Sequence, residues 1–133
     1  MTANPIKGIT MLFVVSILLV VLSSFSFSID DSEDKILGNW YCEELDKSHF
    51  EVIKEPDGTY SATITKSSIP SYVGKKAMKD VKYNSKENKW EGTIISVKRN
   101  QELDGEFTFQ NENKLKVVGS VFVFTKTFYW VRK

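Results

Sequence analysis

The fold is decided by the stretch Leu103-Asp104-Gly105-Glu106-Phe107-Thr108-Phe109, in which small or apolar residues alternate strictly with polar ones. Because successive side chains of a β-strand point to opposite faces of the sheet, this stretch predicts a strand with one buried and one solvated face. The end of the chain repeats the spacing, with Phe128 and Trp130 on one face. No stretch after residue 28 has helical periodicity, so the sequence indicates an all-β fold.

Turn signals on both sides of this stretch divide the chain into eight short strands. The clearest signal is Pro56-Asp57-Gly58, and the one long connection, 66–76, contains Pro70 and Gly74. The predicted strands are 36–44, 49–55, 59–65, 77–83, about 90–94, 103–109, 115–123 and 125–132.

Short turns favour antiparallel pairing between consecutive strands, and closure of such a sheet removes its exposed edges. Glycines inside four of the strands, at positions 38, 92, 105 and 119, are typical of a tightly curved sheet. We therefore predict a small eight-stranded antiparallel up-and-down β-barrel. A β-sandwich is the alternative.

The first 28 residues have the pattern of a secretory signal peptide. Lys7 precedes an apolar run at 9–22, and Ser26 and Ser28 have the spacing of a signal-peptidase site. The run is shorter than the roughly 20 residues that a spanning helix needs, which favours cleavage over retention as a membrane anchor. We predict a signal peptide at 1–28, an acidic leader at 29–35 and one barrel domain at 36–133, in a periplasmic or secreted protein.

The charge balance argues against a nucleic-acid partner. The chain has 18 Lys and Arg against 17 Asp and Glu, and the numbers become equal once Lys7 is removed with the signal. A neutral protein exerts no long-range attraction on a phosphate backbone. Acidic residues predominate at 29–65 and basic residues at 66–133, which predicts a dipolar surface. Membrane contact is expected only through the N-terminal segment.

Residues that carry catalysis are sparse. Cys42 is the only cysteine, so no internal disulfide can form, and it shares a strand face with Trp40, which predicts burial. His49 is the only histidine and is expected on a different rung from Cys42. The sequence contains no histidine cluster, cysteine pair or glycine-rich phosphate loop. We therefore expect no catalytic residues, no metal and no cofactor.

Strand alternation predicts an interior rich in aromatic side chains. A barrel of eight strands has room for side chains that fill it or for one small ligand, and the sequence leaves both possibilities open. For a ligand cavity, the candidate binding residues are Tyr60, Trp90, Phe107 and Phe128, with the 66–76 loop near the mouth. The full predicted inward set is Trp40, Phe50, Val52, Tyr60, Ala62, Ile64, Val81, Tyr83, Trp90, Ile94, Phe107, Phe109, Val117, Val121, Phe128 and Trp130.

Two tryptophan motifs bracket the predicted barrel, Gly38-Asn39-Trp40 at its start and Trp130-Val131-Arg132 at its end. Barrel closure makes the first and last strands neighbours, so the Arg132 guanidinium can lie over the Trp40 indole. Such a cation–π contact is worth about 0.5–2 kcal/mol. We assign these motifs, namely Gly38, Trp40, Trp130 and Arg132, a structural role at one end of the barrel.

The same motifs resemble the structural signature of the calycin barrels, which include lipocalins, fatty-acid-binding proteins and avidins. The run Gly38-Asn39-Trp40-Tyr41-Cys42 is similar to the opening of avidins. Cys42 stands where avidins have a ligand-binding asparagine, so the resemblance does not extend to biotin binding.

A longer resemblance, from Ile36 to Arg132, is to the small exported bacterial proteins of domain of unknown function 2147. It rests on Ile36-Leu37-Gly38-Asn39-Trp40-Tyr41, Lys89-Trp90-Glu91-Gly92-Thr93-Ile94, Leu115-Lys116-Val117-Val118-Gly119 and Trp130-Val131-Arg132. The resemblance implies fold and export and no established activity. The family's longer insert between strands three and four shrinks here to 66–76, and Val97-Lys98-Arg99-Asn100 replaces its Asp-Pro pair after strand five.

The sequence thus predicts a non-enzymatic exported barrel that binds a small apolar or amphipathic molecule in an aromatic-lined interior. The alternative is a barrel with a solid core that binds another envelope protein through its surface or a strand edge.

Overall fold

The computed structural model describes residues 30–133, so the predicted signal peptide lies outside the described residues. Two short helical segments, α1 (Asp30–Glu33) and a 3-10 helix (Asp34–Ile36), precede the sheet. A second 3-10 helix, Pro70–Tyr72, lies in the connection between strands three and four. The strands are β1 (Gly38–Cys42), β2 (Ser48–Lys54), β3 (Tyr60–Lys66), β4 (Lys76–Asn84), β5 (Lys89–Ser96), β6 (Gln101–Asn111), β7 (Lys114–Val121) and β8 (Phe124–Arg132).

The eight strands form a closed barrel in which every neighbour in sequence is an antiparallel neighbour in space. Closure occurs where β1 pairs with β8, at Trp40 opposite Arg132 and Tyr41 opposite Val131. The predicted up-and-down barrel is confirmed, and the sandwich alternative is wrong. The unit Ile36–Lys133 contains all eight strands and the buried core, so it meets the physical requirements for folding on its own.

The up-and-down topology places the connections alternately at two ends of the barrel. The capped end carries the start of β1, the end of β8 and the turns 55–59, 85–88 and 112–113. The open end carries the connections 43–47, 67–75, 97–100 and 122–123. At the capped end the Trp40 indole donates a hydrogen bond to the Ile36 carbonyl at 2.9 Å, and Arg132 lies over the same indole.

The core matches most of the inward set that strand alternation predicts. Eleven of its sixteen members are buried, and Tyr83, Ile94, Phe109 and Phe128 are partly buried and pack against the core. Val121 is partly buried near the end of β7. The predicted burial of Cys42 is confirmed, since its side chain is 1% exposed. The buried apolar residues included neither in the predicted inward set nor in the separate prediction for Cys42 are Ile36, Ala77, Met78 and Leu115.

Met78 was missed because β4 does not keep a regular alternation. Met78 and Val81 are both fully buried although they are three residues apart. Between them Asp80 has a φ of 55°, and the pairing of β4 with β5 shifts between Lys79 and Lys82. This bulge inserts one residue and returns the following side chains to the barrel interior.

Gly92 on β5 lies directly against this bulge. A Cβ atom at Gly92 would stand 2.6 Å from the Val81 Cα, which no real Cβ contact allows. The glycine is therefore required because two backbones approach closely, as strand glycines often indicate.

One predicted boundary is wrong in a way that matters for the open end. The sequence places 122–123 inside the seventh strand, whereas β7 ends at Val121 and a two-residue turn leads into β8. Phe122 has a φ of 54°, a conformation that local patterning does not associate with phenylalanine. Phe122 and Val123 are apolar and carry no turn signal, so the sequence pattern predicted that the strand continues through them.

Candidate functional site

A cavity of about 710 Å³ occupies the open end of the barrel. Its deeper wall is apolar and includes Phe50, Ile64, Val117, Phe128 and Trp130. The 67–75 connection contributes Tyr72, and the β7–β8 turn contributes Phe122. A volume of this size lies within the range of about 300–1,000 Å³ typical of small-molecule sites.

The uneven distribution of side-chain volume explains why one end is filled and the other is open. The aromatic contacts Trp40–Phe109 at 5.8 Å and Trp90–Phe109 at 5.3 Å between ring centroids lie toward the capped end. Toward the open end, the inward positions include Ala77 and Gly119, which have little or no side chain. A Cβ atom at Gly119 would make ordinary contacts at 3.5–3.9 Å with Ile94 and Leu103. A methyl group therefore fits at Gly119, and this position lines the cavity.

The rim of the cavity is charged, and its two sides differ in sign. Glu44 and Asp46 line it from the β1–β2 turn, while Lys98 and Arg99 line it from the β5–β6 turn. This arrangement reproduces at the open end the dipolar surface that the sequence predicts. A molecule seated in the cavity would meet apolar walls inside and both signs of charge at the mouth.

The four candidate ligand-binding residues do not lie together at this cavity. Phe128 lines it, whereas Tyr60, Trp90 and Phe107 are 0–2% exposed and lie outside its lining. Trp90 packs against Tyr83 at 4.7 Å, and Phe107 packs against Trp130 at 5.9 Å. These three rings fill the barrel below the cavity, so the candidate site shifts toward the open end, and ligand contact remains a prediction for Phe128.

The residues that sequence reasoning missed at the cavity come from the β7–β8 turn, from strand ends near the open end and from a small inward position. Leu103, Phe122 and Phe124 line it but are absent from the predicted inward set. Gly119 was assigned a bending role, although it also leaves space beside Ile94. The sequence signal that could have indicated the cavity was Gly119, a small residue among large apolar residues that face the barrel interior.

The structural signature residues form one cluster at the capped end. The Arg132 guanidinium carbon lies 4.2 Å from the Trp40 ring centroid, and Nη1 donates to the Leu37 carbonyl at 3.0 Å. Gly38 has a φ of 121°, and a Cβ there would lie 3.3 Å from Arg132 Nη1. The predicted contact between Arg132 and Trp40 is therefore present.

Trp130 connects this end of β8 to the cavity. Its ring stacks on Phe50 with centroids 4.4 Å apart and an interplanar angle of 17°. Its Nε1 is buried and has no hydrogen-bond partner among the described residues. The ring therefore acts through packing at the boundary between the filled half and the cavity.

The thiol and the imidazole are held apart by the strand register. Cys42 lies opposite Ser48, whereas His49 lies opposite Tyr41, so the two residues occupy neighbouring rungs. Successive residues face opposite sides of a strand, and Cys42 is the one that faces the core. Burial raises the pKa of the Cys42 thiol above its ordinary value, which disfavours the reactive thiolate. Within residues 32–133, no three His, Cys, Asp or Glu side chains are grouped as metal ligands would be.

The comparison with protein families gives a clear result. The family described as "uncharacterized protein conserved in bacteria" (DUF2147) matches residues 38–132. The chain belongs to this family. The family resemblance expected from the motifs is therefore confirmed.

The DUF2147 match begins at the first residue of β1 and ends at the last residue of β8. The family unit is thus the barrel itself. No curated protein and no solved structure matches the chain. In the part of the chain that the structure describes, no helix has the length and apolar character needed to cross a membrane.

Proposed function

We propose that this protein is an exported, non-enzymatic barrel that binds one small apolar or amphipathic molecule in the open-end cavity. The observation that carries the proposal is the cavity of about 710 Å³ with an apolar inner wall. Apolar walls favour an apolar molecule because its transfer from water stabilises the complex by about 25 cal/mol per Å² buried.

The charged rim favours an amphipathic ligand over a purely apolar one. Glu44 and Asp46 face the mouth from one side, and Lys98 and Arg99 from the other. The apolar part of such a ligand would lie against Phe50, with its polar group at the mouth, where water can still solvate it. An ionised group deep inside is disfavoured, since burying an unpaired charge is costly.

A binding role is also favoured by the chemistry of the interior. The Cys42 thiol is buried with a raised pKa, and His49 lies on a different rung. We propose no cofactor and no metal. Export to the periplasm or medium is supported by the apolar run at 9–22 of the sequence, and the alternative is tethering by that same segment.

The deciding experiment is a comparison of native and denatured masses of the protein produced with its own N-terminal segment and purified under mild conditions. A stoichiometric small molecule released on denaturation would support the proposal and identify the ligand class. If the native mass equals the chain mass, and soaking with a panel of fatty acids and aromatic hydrocarbons leaves it unchanged, the proposal is wrong.

A matched pair of variants links binding to the cavity. Gly119→Phe would place an aromatic ring at the cavity lining near Ile94 and Leu103, whereas Gly119→Ala adds one methyl group at ordinary contact distance. We expect Gly119→Phe to lose the bound molecule and Gly119→Ala to keep it, with both variants folded. Retention by a folded Gly119→Phe would move the site elsewhere.

A second candidate function, binding of an envelope protein through a strand edge, is favoured by the short pairing of β1 with β8. β8 runs from Phe124 to Arg132, yet its pairing with β1 is confined to Val131 and Arg132. Between residues 124 and 129, none of the described strands pairs with β8 on this side. An unpaired edge offers backbone groups to an added strand.

The register identifies which edge groups are available. Lys133 N donates to the Asn39 carbonyl, while Arg132 N donates to the Asn113 carbonyl. Because hydrogen-bonding direction alternates along a strand, the N–H of Thr127 faces the β1 side. Thr127→Pro removes that donor and Thr127→Ala keeps it. A partner captured from envelope extracts by the wild type and Thr127→Ala, but not by Thr127→Pro, would establish this function.

A further inference from the structure

The turn between β7 and β8 presents three large apolar side chains to solvent. Phe122 is 97% exposed, Val123 is 90% and Phe124 is 73%. The other exposed large apolar side chains of the described chain reach at most 48%, at Val73. We call residues 122–124 the apolar tip. Consecutive apolar residues at such exposure indicate an interaction site.

Basic side chains lie on one side of the apolar tip. Lys98 and Arg99 are exposed on the β5–β6 turn, the next connection around the open end, and Lys126 follows the tip on β8. All three residues line the mouth that the tip also borders. The acidic residues of the mouth, Glu44 and Asp46, belong to the β1–β2 turn. On the β6 side, Glu102 pairs with Lys79 at 2.5 Å.

We propose that the apolar tip, together with the basic side of the open end, docks the barrel on the surface of an anionic lipid bilayer. A protruding tip of three apolar residues inserts into the headgroup region, where apolar side chains leave water without needing a shaped pocket. Lys98, Arg99 and Lys126 meet the negative charge of the lipid surface. The position of Glu44 and Asp46 tilts the barrel so that the β5–β8 side approaches the membrane.

A protein partner is less well matched to this surface. A stable protein interface buries about 800 Å² on each partner. The convex apolar tip, with two turn residues and one strand residue, would also require a concave pocket of matching shape on a protein partner. A bilayer accepts the same tip without complementary shape. Docking does not depend on an occupied cavity. It therefore goes beyond the proposed function, and it is tested independently of ligand binding.

The experiment uses the unit of residues 29–133, which lacks the apolar segment 9–22 that would itself bind lipid. Co-flotation is measured with vesicles of mixed phosphatidylglycerol and phosphatidylcholine and with vesicles of phosphatidylcholine alone. We expect binding to the mixed vesicles and a loss of binding at high salt, because screening shortens the range of charge attraction. No binding to the mixed vesicles overturns the proposal.

Variants at the two ends of the barrel distinguish docking through the apolar tip from nonspecific adsorption to vesicles. We expect the Phe122→Ser, Val123→Ser double variant to weaken vesicle binding by about tenfold or more. Ile53→Ser is the control, because Ile53 is 42% exposed near the capped end. Lys98→Glu is compared in the same way with Lys86→Glu in the β4–β5 turn at the capped end. Equal effects at both ends would contradict the proposal.

A tryptophan placed in the tip reports insertion directly. The three native tryptophans are at most 2% exposed, so Phe122→Trp adds the single exposed indole of the unit tested. We expect its emission to shift to shorter wavelength and to be quenched by brominated lipid in anionic vesicles. An unchanged spectrum while the protein co-floats would mean that the tip is not the inserted segment. We expect the same emission shift in the Gly119→Phe, Phe122→Trp double variant, because docking does not depend on an occupied cavity. Loss of the shift in this variant would contradict that independence.

Discussion

The Arg132 guanidinium lies 4.2 Å above the centre of the Trp40 ring, across the seam at which the first and last strands close the barrel. Its Nη1 donates to the Leu37 carbonyl and its Nε to the Glu112 carbonyl. One side chain thus joins the start of β1, the β6–β7 turn and the end of β8. The seam has only two paired positions, so this contact reinforces the shortest strand pairing of the barrel.

Arg132→Ala is expected to destabilise the barrel by about 1–3 kcal/mol, because a cation–π contact and charged hydrogen bonds are lost. The melting temperature should fall, as measured by circular dichroism, while Arg132→Lys should lose less because it keeps the charge. Ligand affinity and vesicle binding should be unchanged, since both proposed sites lie at the open end. A stable Arg132→Ala variant with lost binding would reverse this assignment.

Gly92→Ala and Gly119→Ala add the same methyl group to two barrel strands and should have different effects. At Gly92 the methyl would stand 2.6 Å from the Val81 Cα, which belongs to the backbone and cannot rotate away. Overpacking of this kind costs about 1–3 kcal/mol. At Gly119 the nearest atom is a side-chain carbon at 3.5 Å, so stability to urea should change little. Equal midpoints for the two variants would contradict the close approach at the β4 bulge.

Cys42 should resist modification in the folded protein. Its side chain is 1% exposed, and burial raises the pKa of its thiol, so the thiolate is scarce and poorly accessible. We expect slow reaction with an aromatic disulfide reagent in buffer and rapid reaction in urea. The purified chain should also stay free of intermolecular disulfides in air. Rapid labelling without denaturant would show that the β1–β2 hairpin opens.

Stability should decrease in acid through the β2–β3 turn. Ser61 donates to the Glu55 carboxylate at 2.6 Å, and the Thr59 hydroxyl donates to Asp57 at 2.7 Å. These hydrogen bonds hold the pKa of Glu55 below 4.5 and that of Asp57 below 3.8. A carboxyl whose pKa is lower in the folded state contributes stability above its unfolded pKa, and this is lost as the pH falls through the folded pKa.

The matching measurement is urea unfolding from neutral pH down to below pH 4. The wild type should keep its stability until the pH approaches the ordinary carboxyl pKa of 4.5 and then lose it. The Glu55→Gln, Asp57→Asn double variant should be less stable at neutral pH and should show a shallower loss in acid. Parallel profiles for the two proteins would show that these carboxylates do not contribute.

The strands were predicted well where buried and exposed side chains alternate along the strand without interruption. β6 and β7 pair in a regular register from Asp104 opposite Ser120 to Phe109 opposite Leu115, and the sequence alternates through both. In β4 the left-handed conformation of Asp80 shifts the following residues to the other face. No local pattern announces that shift, because the bulge is stabilised by the neighbouring strand, where Gly92 leaves room for it.

The candidate site was predicted less well than the fold. Alternation identifies which side chains point inward, but it does not identify the height at which each lies along the barrel. Tyr60, Trp90 and Phe107 are inward and fully packed, whereas Phe128 reaches the cavity. Height depends on strand tilt and register summed around the whole sheet, which is a non-local property.

The sequence by itself determined eight alternating strands, the turns between most of them, and the pairing of Trp40 with Arg132 at a closed seam. These features follow from the period of two along each strand and from the advantage of closing a sheet whose first and last strands would otherwise both be exposed edges. The tertiary structure alone decided that the capped end is filled, that the open end holds a cavity, and that Phe122 leaves the strand to stand in solvent. Each of these features depends on how side chains from strands that are distant in sequence pack together in space. The spacing of residues along one strand does not specify that packing.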